Sequence, residues 1–242
     1  MQNKRFSPAM IEETLKKDKR GSKMKERIAI SWSGGKDSGF ALYKLLQKGT
    51  YIVDSLFTTI TEEYSRVSMH GVRECLLEKQ AESLELPLRK MYIPKECPNE
   101  VYQLRFDELL ESLKKEGVTT VMFGDICLGD VKKYRESLIE NHGLKAVFPL
   151  WGLDTEDLIQ EFISLGFQTI TTCVDTEQLS NKFLGRVLDA DFMKELQAKA
   201  DPCGENGEYH SFLFDGPLFK KKIDFTVGRR VEEGRFHFCD LE

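Results

Sequence analysis

The chain has 242 residues, 40% of them hydrophobic and 31% charged, and a formal net charge of −5. That length suits one large domain or two modest ones around a substantial core, and no apolar run approaches the ~20 residues that span a bilayer. The acidic balance disfavours bulk nucleic-acid binding, and the six cysteines (Cys75, Cys97, Cys127, Cys173, Cys203, Cys239) form no Cys-x-x-Cys for zinc, an iron–sulfur cluster or a redox dithiol, so a reduced, cytoplasmic setting is expected.

Residues 1–25 form a basic extension carrying eight Lys or Arg against three acids. A short helix over 8–20 is expected there, in a solvated segment rather than a nucleic-acid contact, and Met24 is an alternative start of translation. From residue 27 onward, β-rich runs at 27–32, 51–61, 88–93, 119–126, 145–150 and 167–174 alternate with helical patterns at 37–48, 71–86, 99–116, 131–142 and 154–165. Gly49, Gly117, Gly143 and Gly166 stand where helices should end. This alternation predicts an α/β fold, a Rossmann-like parallel sheet with helices on both faces over 26–150. After Pro149-Leu150-Trp151-Gly152 the character shifts, and residues 151–242 are expected to form a smaller C-terminal α+β lobe with short strands over 208–239 and a cleft between the lobes.

The first strand runs into Ser33-Gly34-Gly35-Lys36-Asp37-Ser38, directly before a helical pattern. A Gly-rich turn opening a helix aims several backbone N–H groups at one point, so it should bind an anion, most readily phosphate. It is not a Walker loop, because Ile30 occupies the first Gly position and Asp37 follows Lys36; no Gly-x-Gly-x-x-Gly occurs here either. It resembles the loop of the PP-loop ATP pyrophosphatases, which cut ATP between the α and β phosphates. Asp37 would repel phosphate unless it holds Mg²⁺ or caps the helix, and the metal is the preferred reading.

In α/β sheets, ligands bind beyond the carboxyl ends of strands. After the second strand comes a long polar loop, from Thr58 to Gly71, where Arg66, Ser68 and His70 could face ATP or an acceptor. After the fourth, Gly124 would let backbone approach a ligand and Asp125 could hold Mg²⁺ or orient a nucleophile. Asp130 fits a helix N-cap, four to five residues before Tyr134 and Arg135 on one helix face. Further on, Arg186 suits either a carboxylate or phosphate clamp or a surface salt bridge. Glu205, Asn206, Glu208 and His210 are the densest polar cluster of the second lobe, suited either to acceptor and ammonia or to the backbone of their own turn.

Together, Ser33 to Ser38, Gly124-Asp125, Tyr134-Arg135-Glu136, Pro149-Leu150-Trp151, Leu184-Gly185-Arg186, Gly204-Glu205-Asn206-Gly207-Glu208-Tyr209-His210 and Asp215-Gly216-Pro217-Leu218-Phe219 resemble, in order, the signature of the diphthine–ammonia ligase family. The resemblance implies an AMP- and pyrophosphate-forming amide ligase that adenylates a carboxylate for attack by ammonia, using ATP and Mg²⁺. The acceptor would be carried on a protein, elongation factor 2 where diphthamide is made; RNA is disfavoured as a partner, no membrane is implied, and a homo-oligomer is allowed. By the same resemblance, Ser33, Gly34, Gly35, Lys36, Asp37, Ser38, Thr58 and Gly124 bind the nucleotide, and Asp37 and Asp125 the metal. Lys36, Asp37, Asp125, Glu205 and Glu208 carry the chemistry, and His70, Tyr134, Arg135, Arg186, Asn206 and His210 bind substrate. The family's larger members have additional C-terminal domains, and none is expected within these 242 residues. Two other readings compete: an ATP-dependent RNA-base modifier, favoured by the basic extension and opposed by the lack of paired cysteines, and a non-catalytic ATP- or AMP-binding regulator.

Overall fold

A computed structural model describes residues 25–196 and 200–242. The basic extension up to residue 24, with its expected helix over 8–20, lies outside the described residues. The first sheet is built from β1 (Glu26–Ser31), β2 (Tyr51–Thr61), β3 (Arg66–Val67), β4 (Leu88–Ile93), β5 (Thr120–Met122) and β6 (Lys145–Val147). Five strands run parallel in the order β4-β2-β1-β5-β6, and only the two-residue β3 pairs antiparallel, at the far end of β2. The chain builds outward from β1 through β2 to β4, then crosses to the other side of β1 for β5 and β6. That reversal puts the switch point, the usual ligand crevice of such sheets, beyond the carboxyl ends of β1 and β5.

Side chains of a strand alternate between faces, and β1 shows the consequence. Ile28 and Ile30 join one apolar cluster and Ala29 the other, all with no exposed surface. On the first face lie α1 (Lys36–Lys48), α2 (Glu74–Leu84) and α5 (Thr155–Ser164), through Phe40, Leu42, Leu76, Leu77 and Phe162. On the second lie α3 (Asn99–Lys115) and α4 (Gly129–Asn141), through Phe106, Leu110, Leu138 and Ile139. Helices therefore cover both faces of the parallel sheet, as the alternation predicts.

A second sheet of β7 (Gln168–Asp175), β8 (Tyr209–Asp215), β9 (Val227–Glu233) and β10 (Phe236–Leu241) is antiparallel throughout, in the order β8-β7-β10-β9. A short helix α6 (Ala190–Leu196) precedes β8. The run at 167–174, grouped by pattern with the parallel strands, is β7, and it pairs here with β8 and β10. Its sheet partners β8 and β10 both run opposite to it, and the β9–β10 hairpin extends the same antiparallel sheet. This sheet shares the first apolar cluster, and Leu213 of β8 packs so close to Gly39 that a Cβ there would lie 2.2 Å from Leu213 Cδ2. Helix α1 thus packs on the parallel sheet and on β8.

Two local expectations shift. Asp130 is not the N-cap of α4: Leu128 takes that position, and Asp130 lies in the first turn, where a negative charge suits the helix dipole. The 58–71 loop is partly ordered: β2 ends at Thr61, as the run at 51–61 predicts, and the unforeseen β3 folds back against it. Among the described residues no helix is long and apolar enough to cross a membrane.

Candidate active site

The bend between β1 and α1 is held from three directions. Gly34 has φ +77°, and a Cβ there would lie 2.9 Å from Gln80 Oε1, so glycine is required on two counts. Its carbonyl accepts from the Leu213 N–H of β8 (2.8 Å) and from Gln80 Nε2 (3.0 Å). Gln80, fully buried on α2, also donates to the Leu213 carbonyl (2.6 Å) and accepts from Trp32 Nε1 (2.8 Å). Gly35 is the N-cap of α1 and offers no capping side chain; its N–H reaches Ser33 Oγ, and Lys36 N–H reaches Ser211 Oγ, both at 3.3 Å. Ser38 Oγ donates to the Gly35 carbonyl (3.0 Å), beside Ser33 Oγ at 3.3 Å. Helix α1 therefore opens with a positive end and no carboxylate or hydroxyl cap of its own, which suits an anion.

Lys36 is 4% exposed, with Nζ at 2.7 and 2.8 Å from the two Asp37 oxygens and 5.5 Å from the Tyr209 ring centre. Burial disfavours its charge, but Asp37 first, then Tyr209 and Cys203, together offset this and hold its pKa above the ordinary lysine value. Gly124 packs against the same turn: a Cβ would lie 3.0 Å from the Asp37 carbonyl carbon and the Ser38 nitrogen. The expected approach of backbone to ligand is here an approach of β5's end to α1. Asp125 forms an ion pair with Arg135 Nη1 (2.9 Å); burial raises its pKa, Arg135 lowers it, and the nearby negative charge of Asp37 adds to the rise.

Glu205 closes this side of the site. Its Oε2 accepts from the Ile126 N–H (3.3 Å), directly after Asp125. Burial and then Asp37 push its pKa up to about 6, against the pull of Lys36 and of the Ile126 and Cys127 amides. On the other side stand two imidazoles, His70 from the β3–α2 loop and His210 from β8, with ring centres 4.6 Å apart. His70 Cε1 lies 3.2 Å from where a Gly35 Cβ would sit. Burial, His210 and Lys36 depress the His70 pKa to about 3, while a hydrogen bond to the Ser211 backbone works the other way; burial and Lys36 depress His210 to about 4. The site thus has a cationic floor, a carboxylate side and a neutral imidazole side. Thr58 Oγ1 and His70 Nδ1 are buried with no hydrogen-bond partner among the described residues.

Other expected site residues are engaged elsewhere. Glu208, 3% exposed, accepts from the Asp201 N–H (2.7 Å) and the Asn206 N–H (2.9 Å), and Asn206 Nδ2 also bonds it (3.1 Å). Both serve the turn that carries Glu205. Arg186 pairs with Glu195 (3.1 Å) against Phe183 and Phe192, the surface arrangement that was the alternative to a clamp. Tyr134 is half exposed, and Arg135 lies on Phe123 as well as on Asp125. Arg66 turns from the site to the Gly71 carbonyl (2.7 Å) and Asp240 (2.8 Å).

Sequence reasoning missed Gln80 and Ser211, which hold the bend, and Asp201, whose Oδ1 accepts from the Cys203 and Glu205 N–H groups. Gln80 left one signal. It sits on the apolar side of α2, with Leu76, Leu77, Ala81 and Leu84, where a buried amide needs partners.

Two family models match: the diphthamide synthase N-terminal domain over residues 26–146 and the diphthamide synthase C-terminal domain over residues 154–242. The chain belongs to the diphthine–ammonia ligase family. A human diphthine–ammonia ligase is 33% identical over 81% of this chain and 82% of its own length, and the bovine one 31% over the same shares. The fission yeast diphthine–ammonia ligase is 30% identical over 87% of this chain, but the match covers only 38% of that protein. A solved structure titled as a predicted subunit of tRNA methyltransferase from Methanocaldococcus jannaschii is similar at a TM-score of 0.42 and 16% identity, over 81% of this chain and all of that one, too distant to argue from. For this diphthine–ammonia ligase family member the β1–α1 bend and the Gly204–His210 turn fall one in each matched domain, and β8 joins them through the Leu213–Gly34 bond.

Proposed function

We propose that the chain works as an ATP-dependent, AMP- and pyrophosphate-forming amide ligase, with the β1–α1 bend holding the β and γ phosphates. An acceptor carboxylate oxygen attacks the α phosphorus and pyrophosphate leaves; ammonia then attacks the acyl carbon, and AMP leaves with the oxygen. The observation that carries the reading is the bend itself: an α1 N-terminus whose N-cap Gly35 supplies no side chain, beside a buried lysine whose charge is stabilised. Positioning two anions and offsetting charge on departing pyrophosphate is electrostatic work that this arrangement suits.

Asp37 and Asp125 are the residues that would hold Mg²⁺. Among the described residues no group of three or more metal-binding side chains converges. An Asp125 carboxylate whose ionisation burial and the neighbouring Asp37 make costlier fits a cation bound mainly through phosphate oxygens, as Mg²⁺ commonly is. When bound, the ion would neutralise phosphate charge. Glu205, poised near neutrality, is placed to take a proton as ammonium becomes ammonia. The acceptor we favour is a carboxylate on a protein, diphthine in the relatives' names, in a cytoplasmic setting; a domain boundary near residue 150 and a homo-oligomer belong to the same proposal.

A pyrophosphate-release assay with ATP, ammonium and candidate acceptors tests it. Release should depend on an acceptor carboxylate, and Lys36→Ala should lower it by about 10²–10³-fold, the usual effect of removing one transition-state donor, with the circular dichroism spectrum unchanged. Release that follows added RNA, or unchanged turnover in Lys36→Ala, would overturn it.

A further inference from the structure

The imidazole side of the site has no part in the scheme above. His70 and His210 face each other at 4.6 Å, and the ring carbon between the two nitrogens of His70 lies against Gly35, the N-cap residue at the phosphate bend. The Ser211 backbone also bears on the His70 ring, whose Nδ1 is buried with no hydrogen-bond partner among the described residues. A neutral imidazole that donates from one nitrogen presents a lone pair at the other. A phosphate oxygen also presents lone pairs, so the two repel until a proton is placed between them. Besides each other, the charged group that bears on the pair is Lys36 of α1; among the described residues no carboxylate is a cause of either shift. The Ser211 backbone favours a positive His70 but is outweighed by burial, His210 and Lys36, and a bound polyanion would tip that balance.

We infer that the His70–His210 pair is the proton-accepting wall of the pyrophosphate site: it is neutral when the site is empty and takes up a single shared proton when pyrophosphate enters, then donates to a phosphate oxygen. The inference rests on the proposed seat of the β and γ phosphates. Its consequence is that departing pyrophosphate leaves with the proton or returns it to solvent, so product release is favoured as pH rises.

The chain has only four histidines, so every ring can be followed by nitrogen NMR of the full-length protein at pH 7, assigned with single His→Gln variants. The probe is inorganic pyrophosphate. Backbone amides of residues 34–38 should shift, reporting occupancy, and the His70 and His210 nitrogens together should move by about one proton's worth toward imidazolium, with His142 and His237 unmoved. His70→Gln should weaken pyrophosphate about tenfold, the scale of one charge-assisted hydrogen bond, and leave AMP affinity unchanged. If the amides shift and both rings stay neutral, the inference is wrong and the phosphate seat stands. If neither shifts, both fall. If His70→Gln weakens AMP as much as pyrophosphate, the ring only shapes the site and the inference again fails.

Discussion

Glu205 is the side chain whose surroundings most resemble those of a working acid or base. Burial and Asp37 raise its pKa to about 6, so at pH 7 it is mostly a carboxylate able to accept a proton and return it. Ammonium-dependent AMP formation should therefore rise with pH through about 6 in the wild type, as the carboxylate form appears. Glu205→Gln should retain ATP binding, lose most acceptor-dependent product and lose that limb of the profile; equal loss of ATP affinity would move Glu205 out of the acceptor side. Glu208, only three positions away, differs because both its oxygens meet backbone N–H groups. One carboxylate faces the site and the other holds the turn in place, a distinction that no spacing rule could make.

At the scale of elements, the bend depends on parts distant in sequence. Gln80 of α2 bonds β8 and the Gly34 carbonyl, and receives Trp32, all without solvent. Gln80→Leu would keep the volume and strand the Leu213 carbonyl and the Trp32 indole N–H, while the Gly34 carbonyl keeps the Leu213 N–H, at a cost of about 3 kcal/mol, since each buried unpaired group costs about 1–3 kcal/mol. The midpoint of urea unfolding should fall accordingly, and ATP affinity should drop with it; a variant as stable as wild type would show that the amide is not what holds the bend. Seating β8 against α1 also explains Gly39, where any side chain would strike Leu213.

The whole molecule is tied by charge as well as by its shared core, and two of these ties respond to pH with opposite sign. Asp240 of β10, 4% exposed, receives Arg66 and Arg73 from the segment that carries His70. Burial alone would raise its pKa, but the two arginines hold it at about 2. Its folded value lies below the unfolded ~3.9, so its stabilisation is complete above that value and lost as pH falls through about 2, on the order of 2 kcal/mol. His142, bonded to Asp107 and Glu111 of α3, has a raised pKa, so its contribution is full below the unfolded ~6.5 and lost as pH rises through the higher folded value. Asp240→Asn should flatten the acid side of a stability–pH curve and leave the alkaline side alone, and His142→Gln should do the reverse; one curve unaffected by either substitution would refute the assignment. Sequence by itself determined the strand–bend–helix start, the five-stranded parallel sheet and its layered helices, and the family, because these depend on short-range periodicity and on contiguous motifs whose residues act together. It left open which polar residues of those motifs face the site, and the pairing of the strand after residue 167. Those were decided only by tertiary structure, because whether a carboxylate such as Glu208 or a guanidinium such as Arg186 is free depends on which backbone amides and counter-charges the folded chain brings beside it.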